Sequence, residues 1–304
     1  MFPYDEPFAD SSQIPTHLVS KFAREKVTVA VSGDGGDELF GGYNRYFAAE
    51  RLWRNIGKVP APLRAGIGNG LGAIPPEFWS RLIRLGSRDA PPHLGAKLQK
   101  GLRVAGKSRG FDELFESFLD EWSGEPSPVI GAPSPGRFDL GVDGPAAVRM
   151  MYADAVAYLP DDIMAKVDRA SMAVALETRA PYLDHRVAEV AARIPVDMKI
   201  RGGKGKLILR KLLYREAPAE LFERPKAGFG IPVGEWMKGA LRPWAEDLLD
   251  PARMRTEGWF DADRVQRRWQ QHLTGERESS IALWAVLMFQ AWLREQEGAL
   301  AAAA

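Results

Sequence analysis

Apolar positions follow a helical spacing along most of this chain and a strand-like spacing only once. Residues 27–31 read Val-Thr-Val-Ala-Val. A short β-branched run, apolar on both faces, predicts a buried strand of the parallel type. Upstream, residues 14–25 carry Leu18, Val19 and Phe22 on one face of a predicted helix. Downstream, after Ser32-Gly33-Asp34-Gly35-Gly36-Asp37-Glu38, residues 39–56 are aromatic-rich and helix-compatible. A helix, a strand, a loop and a second helix in succession form the repeating piece of an open α/β sheet.

Glycine and proline punctuate residues 57–76, where Leu63, Ile67 and Leu71 predict only short helices. Helices are predicted over 78–85 and 111–122. Residues 123–145 hold five Pro and five Gly, the composition of a long irregular loop or linker. Beyond it the pattern is almost wholly helical. Asp161 and Asp162 stand where N-caps would start a helix through Leu176. Further helices are predicted over 183–194, 207–217 and 280–296, with Pro195 and Pro218 where two of them must stop. A lone parallel strand cannot make a sheet. Weaker strands must therefore lie within the first 60 residues, or the remaining strands lie outside these 304 residues.

Composition narrows the chemistry. With 41 Lys+Arg against 40 Asp+Glu, the net charge of +1 gives no global pull toward nucleic acid or an anionic membrane. The absence of cysteine excludes disulfides, Cys-ligated zinc, Fe–S clusters and any thiol nucleophile on this chain. The first residues, Met1 to Glu6, lack the basic and apolar regions of a signal peptide. The most apolar stretch, residues 281–293, contains Gln290 and is too short to cross a bilayer. The expectation is a soluble, cytoplasmic protein with no nucleic-acid or membrane partner. Four histidines show no metal spacing, and His185 reads as a structural or surface residue.

The densest chemistry lies in residues 32–43, at the carboxyl end of the predicted strand, where open α/β sheets place ligands. Glycine lets the backbone approach a nucleotide closely, and backbone N–H groups at a following helix attract phosphate. Asp34, Asp37 and Glu38 would repel a bare phosphate, so a bridging Mg²⁺ is implied; that ion takes one or two carboxylates plus phosphate oxygens. On spacing alone the segment is equally a Gly/Asp turn that caps a helix. An EF-hand is excluded because its twelfth position, counted from Asp34, is Arg45. Gly202-Gly203-Lys204-Gly205-Lys206 lacks the hydroxyl of a Walker P-loop.

Residues 32–43, Ser-Gly-Asp-Gly-Gly-Asp-Glu-Leu-Phe-Gly-Gly-Tyr, resemble a signature of the glutamine-hydrolysing asparagine synthetase family, in its C-terminal synthetase domain. Three more segments agree in the family's order: residues 5–12, residues 159–185, and residues 224–232 (Arg-Pro-Lys-Ala-Gly-Phe-Gly-Ile-Pro). The resemblance implies an adenine-nucleotide α-hydrolase-like (ATP pyrophosphatase) α/β fold, here partial and mostly helical. A remnant parallel sheet would occupy residues 1–56 and a mainly helical part 57–304. It implies a ligase that uses ATP and Mg²⁺ to adenylate the aspartate side chain, then forms the amide with ammonia. Ser32, Gly33, Gly35 and Lys166 would bind the nucleotide. Asp37 and Glu38 would hold Mg²⁺, Asp34 would lie near the reacting acyl group, and Lys226 would neutralise the α-phosphate. Lys166, Asp168, Glu177 and Arg179 are expected to form an ion-pair network shaping the site.

The chain departs from the family pattern in two ways. It has no cysteine to serve as the glutaminase nucleophile, so ammonia would come from a donor or glutaminase domain elsewhere. It also lacks the family's Ser-Gly-Gly-x-Asp-Ser pyrophosphate loop. The expectation is therefore the later three-fifths of a synthetase domain, completed by a missing segment or a second polypeptide, with an exposed sheet edge and apolar face. A homodimer is admitted. The rival readings are a non-catalytic helical interaction module and a paralogous amidotransferase acting on another carboxylate.

Overall fold

The computed structural model describes residues 4–74, 78–79, 81–82, 106, 108, 110–122, 125–132, 142–223 and 229–303. Over those residues the chain is mostly helical, with a small parallel sheet. In chain order the elements are α1 (Gln13–Arg24), β1 (Val29–Val31), α2 (Gly36–Phe40), α3 (Asn44–Ile56), α4 (Ala61–Ala73), α5 (Phe111–Leu119) and α6 (Ala146–Ala153). A π-helical stretch, Asp154–Met164, leads into α7 (Ala165–Met172), then β2 (Glu177–Arg179), α8 (His185–Arg193), α9 (Val196–Lys199) and α10 (Leu207–Glu216). The last elements are α11 (Val233–Lys238), α12 (Arg242–Leu248), α13 (Pro251–Glu257), α14 (Ala262–Thr274) and α15 (Ser280–Ala303). The predicted helix over 78–85 and the loop over 123–145 lie partly outside the described residues, and Lys226 lies wholly outside them.

Two compact units divide the chain. The first comprises residues 1–5, 10–51 and 139–231. Among the described residues its sheet has two strands, β1 and β2, in parallel with Val29 opposite Glu177 and Val31 opposite Arg179. The second strand escapes the sequence pattern because Glu-Thr-Arg is polar throughout. The first strand is shorter than predicted and is not buried: Val31 is 74% exposed, and Val27 and Val29 are exposed with it. Among the described residues β1 has no strand on its other edge, so its valines find no second layer. Helix α1 behaves in the same way. His17 Nδ1 lies 3.3 Å from the Ala170 carbonyl and Arg24 Nε donates to the Ala175 carbonyl at 2.9 Å. Ser20 is buried, whereas Leu18, Val19 and Phe22 stay exposed. The helix is fastened by its polar side and shows its apolar side outward.

The predicted helix over 39–56 is broken. Gly41 takes a left-handed φ of 71°, which ends α2, and α3 starts afresh at Asn44. A Cβ at Gly41 would fall 2.4 Å from Ile200 Cδ1, so the turn needs glycine for space as well as for φ. The helix around Asp161 and Asp162 also differs from expectation. Neither residue is an N-cap. Helix α6 runs without interruption through the π stretch, which contains Pro160, into α7. Pro160 brings no N–H to the ladder, and the wider i→i+5 pairing absorbs that loss.

The second unit comprises residues 6–9, 52–138 and 232–304. Its core is built from Trp269, Leu283, Leu287, Met237, Leu248 and Met254, all fully buried. Each large apolar side chain of this kind contributes about 1.5–3 kcal/mol by leaving water. Helices α13 and α14 are capped by Asp250 and Asp261, whose carboxylates accept from the Arg253 and Arg264 backbone N–H groups. His272, wholly buried, has Nε2 3.3 Å from the Gly234 carbonyl, joining the end of α14 to α11.

Candidate functional site

The site is assembled in the first unit around the turn that follows β1. The Ser32 backbone N–H donates to the Arg179 carbonyl at 2.8 Å, extending the sheet by one rung and fixing where the loop begins. Gly35 then adopts φ 85°, and a Cβ there would meet Leu183 Cδ2 at 2.5 Å. Around Gly33, by contrast, an added Cβ would meet nothing within 4 Å among the described residues, which leave open space on that side of the loop. The Ser32 hydroxyl is buried and has no hydrogen-bond partner among the described residues. A buried hydroxyl without a partner costs about 1–3 kcal/mol. Such a group beside open space suits a polar ligand.

The two adjacent carboxylates expected to face a cation point to different places. Asp37 pairs with Lys206, its Oδ2 2.8 Å from Nζ, and each side chain is about a quarter exposed. Glu38 is 2% exposed and accepts a hydrogen bond from the Tyr43 hydroxyl. Burial raises the Glu38 carboxyl above its ordinary range, against the pull of the Tyr43 hydrogen bond. Burial and the Glu38 carboxyl likewise raise the Tyr43 phenol. Glu38 is thus committed inward, and Asp37 is the carboxylate within reach of a ligand. Among the described residues no three His, Asp or Glu side chains converge as a protein-only metal cage would require. A single part-exposed carboxylate suits a Mg²⁺ ion that keeps phosphate oxygens and waters in its shell.

Lys206 is the residue that sequence reasoning passed over. It sits in the Gly202–Lys206 turn, set aside above for lacking a Walker hydroxyl. The turn lies directly on the loop: the Lys206 N–H donates to the Phe40 carbonyl at 3.0 Å. Its φ of 56° is unusual for a residue with a Cβ. A Cβ at Gly205 would fall 2.0 Å from the Gly41 carbonyl oxygen, so two backbones touch there. A glycine-rich turn ending in lysine was a usable signal, but nothing in the sequence says which loop it approaches.

Behind the loop lies a buried polar network. The Arg45 guanidinium sits 4.3 Å from the Tyr43 ring centroid and 4.8 Å from that of Tyr158, and pairs with Asp154 at 2.7 Å. The Tyr46 hydroxyl donates to the same carboxylate at 2.7 Å. Burial and Asp154 raise the Tyr46 phenol. A second cluster joins Lys166 to Asp10 and Asp162, with Asp162 Oδ1 3.8 Å from Nζ. Burial, with Asp10 beside it, pushes Asp162 up to about 7. Burial also works upward on Asp10, but its hydrogen bonds from Lys166 and Ser12 win and hold it low.

The expected four-residue network is replaced by separate pairs. Lys166 reaches Asp10 and Asp162, Arg169 reaches Asp5 at 2.8 Å, and Arg179 pairs with its own neighbour Glu177 at 2.8 Å. Lys166 and Arg169, three residues apart on α7, both pair with the segment that precedes α1. His185 is on the surface, its side chain 82% exposed. Asp34 lies in the loop between Gly33 and Gly35, partly exposed.

Comparison with known proteins supplies the deciding observation. The family model described as asparagine synthase matches residues 1–294. The chain belongs to the asparagine synthase family. It is 31% identical over 290 residues to asparagine synthetase [glutamine-hydrolyzing] 1 of Bacillus subtilis, covering 95% of this chain and 44% of that protein. It is 33% identical over 295 residues to a putative asparagine synthetase [glutamine-hydrolyzing] of Mycobacterium bovis, covering 95% of this chain and 42% of that one. A shorter match, 32% over 96 residues, joins it to the human asparagine synthetase [glutamine-hydrolyzing]. The chain therefore spans less than half the length of the two asparagine synthetases it matches almost end to end. Among the described residues no helix is long and apolar enough to cross a membrane.

Proposed function

We propose that this chain forms the C-terminal part of the synthetase domain of an ATP-dependent, asparagine synthetase-type ligase. The carrying observation is the loop after β1. Among the described residues the buried Ser32 hydroxyl has no partner and the adjacent Gly33 has open space beside it, while Asp37, part-exposed and paired with Lys206, stands a turn further on. In this reading the sheet is part of an adenine-nucleotide α-hydrolase-like fold. Ser32, Gly33 and Gly35 receive the nucleotide, and ammonia comes from a glutaminase or another donor.

The chemistry follows from charge. The side-chain carboxylate of aspartate attacks the α-phosphorus of ATP. The bond from that phosphorus to the bridging oxygen breaks, and pyrophosphate leaves with the electron pair. Ammonia then attacks the acyl carbon, AMP departs, and one proton is lost to solvent or a nearby base. Both displacements gather negative charge on phosphate oxygens, which preorganised cations stabilise. Bound Mg²⁺ would supply part of that positive charge, with Asp37 as its protein ligand. Lys226 supplies the ammonium for the α-phosphate. Asp34 borders the acyl group. Glu38, bonded by Tyr43, anchors the helix that carries Asp37, and Lys166, tied to Asp10 and Asp162, forms the wall of the site.

The test supplies the 304-residue chain with the upstream segment of a homologous synthetase domain that carries the Ser-Gly-Gly-x-Asp-Ser loop, and measures equilibrium binding of ATP with Mg²⁺, then aspartate-dependent exchange of labelled pyrophosphate into ATP. Binding that is lost in Asp37→Ala, with exchange lost in Lys226→Ala, is the expected result. A chain that binds no ATP under these conditions returns the non-catalytic module as the better reading. Exchange driven by a carboxylate other than aspartate identifies a paralogous amidotransferase.

A further inference from the structure

The Asp37–Lys206 pair poses a problem for any metal that Asp37 is to hold. The carboxylate already has a cation 2.8 Å away. Both side chains are only about a quarter exposed, so water screens the pair incompletely. The pair is also built into the backbone. Lys206, in a left-handed conformation, donates its backbone N–H to the carbonyl of Phe40, the last residue of helix α2, which also carries Asp37. A Cβ at Gly42 would fall 1.9 Å from Asp37 Oδ1 and 2.5 Å from Lys206 Cε, so glycine at 42 gives the two side chains room to meet. The ammonium also lies beside Gly36, 3.6 Å from where a Cβ would stand.

We infer that Lys206 is an internal counter-ion for Asp37, which a divalent cation must displace, so that this carboxylate takes metal only together with a polyphosphate. A bare divalent ion at Asp37 would share one carboxylate with an ammonium held next to it. Like charges at that spacing repel, and the carboxylate alone cannot satisfy both. A pyrophosphate group changes the balance. Its oxygens complete the metal shell and offer the displaced ammonium a new anion. Metal and polyphosphate then bind with positive coupling, each raising the affinity for the other by the same factor. This deepens the proposed site and rests on the reading of it as a metal–phosphate cradle.

The experiment titrates Mn²⁺ by paramagnetic resonance, with and without inorganic pyrophosphate, after correction for Mn²⁺ bound to pyrophosphate in solution. The chain is compared with Lys206→Asn and Asp37→Asn. Asparagine is chosen at 206 because it tolerates a left-handed backbone and removes the ammonium. The wild-type chain should bind Mn²⁺ weakly alone and about tenfold or more tightly with pyrophosphate present. Lys206→Asn should bind Mn²⁺ alone about tenfold more tightly than wild type while its enhancement by pyrophosphate shrinks. Asp37→Asn should show neither. A lysine that merely supported the fold would weaken both titrations together. If Lys206→Asn fails to fold, Lys206→Gly adopts the left-handed backbone without strain and also removes the ammonium, and it should raise affinity for Mn²⁺ alone. Unchanged or weakened binding of Mn²⁺ alone by whichever of these variants folds overturns the counter-ion role and leaves the cradle standing. A wild-type chain that binds no Mn²⁺ even with pyrophosphate overturns the cradle and the counter-ion together.

Discussion

Single residues in this structure are set largely by what burial does to charge. Asp162 is the clearest case, because its carboxyl is pushed up to about 7 by burial and by Asp10. A carboxyl raised on folding binds a proton more readily in the folded chain than in the unfolded one. Stability is then greatest below the ordinary carboxylate range and declines as pH climbs through the window from about 4 to about 7. Asp10, held low, acts only below that window, where falling pH removes its contribution. Urea unfolding of Asp162→Asn against wild type should therefore diverge on raising the pH from 4 to 8, with the variant gaining relative stability. Parallel curves would show that Asp162 carries no such shift. His272 runs the other way. Burial lowers its pKa, so acid favours the unfolded chain once pH falls below about 6.5. None of this is legible in sequence: Asp162 reads as an N-cap and His272 as one histidine of four.

At the scale of elements, the two loops of the site are locked by glycines that the sequence displays and by a contact that it hides. The approach of Gly205 to the Gly41 carbonyl leaves no room for a methyl group. Gly205→Ala should cost about 2 kcal/mol or more, because a backbone oxygen cannot step aside as a side chain can. Chemical denaturation measures this, and a loss below about 0.5 kcal/mol would show that the turn is free to lift. Caps are a milder matter. Asp261→Ala should cost about 1 kcal/mol through loss of its bond to the Arg264 N–H. The helices with strong spacing, α1, α5, α8, α10 and α15, were readable because amphipathic periodicity and proline stops act locally. Strand β2 and the π stretch were not, since Glu-Thr-Arg carries no alternation and Pro160 reads as a helix breaker rather than as part of a wider helix. The motif from Ser32 to Tyr43 was readable as a glycine- and acid-rich turn after a strand, but its partner Lys206 comes from sequence far away.

For the molecule as a whole, the exposed apolar surface of the first unit matters most. Phe22, Val29 and Val31 stand out in water beside a strand edge with no partner among the described residues. Such edges recruit other chains. Val31→Lys should leave the unfolding free energy within about 0.5 kcal/mol while lowering self-association, measured by light scattering across a concentration series. An unchanged scattering profile would place the sticky surface elsewhere. The near balance of charge offers little repulsion to oppose association, so salt should matter less than this single substitution. The packing of Arg45 against the rings of Tyr43 and Tyr158, anchored on Asp154, has an optical corollary. Of the seven tyrosines, Tyr43 and Tyr46 should stay dark in an alkaline ultraviolet titration until the fold itself gives way. An abrupt late rise in phenolate absorbance would then signal the opening of this cluster, a reporter that needs no added dye.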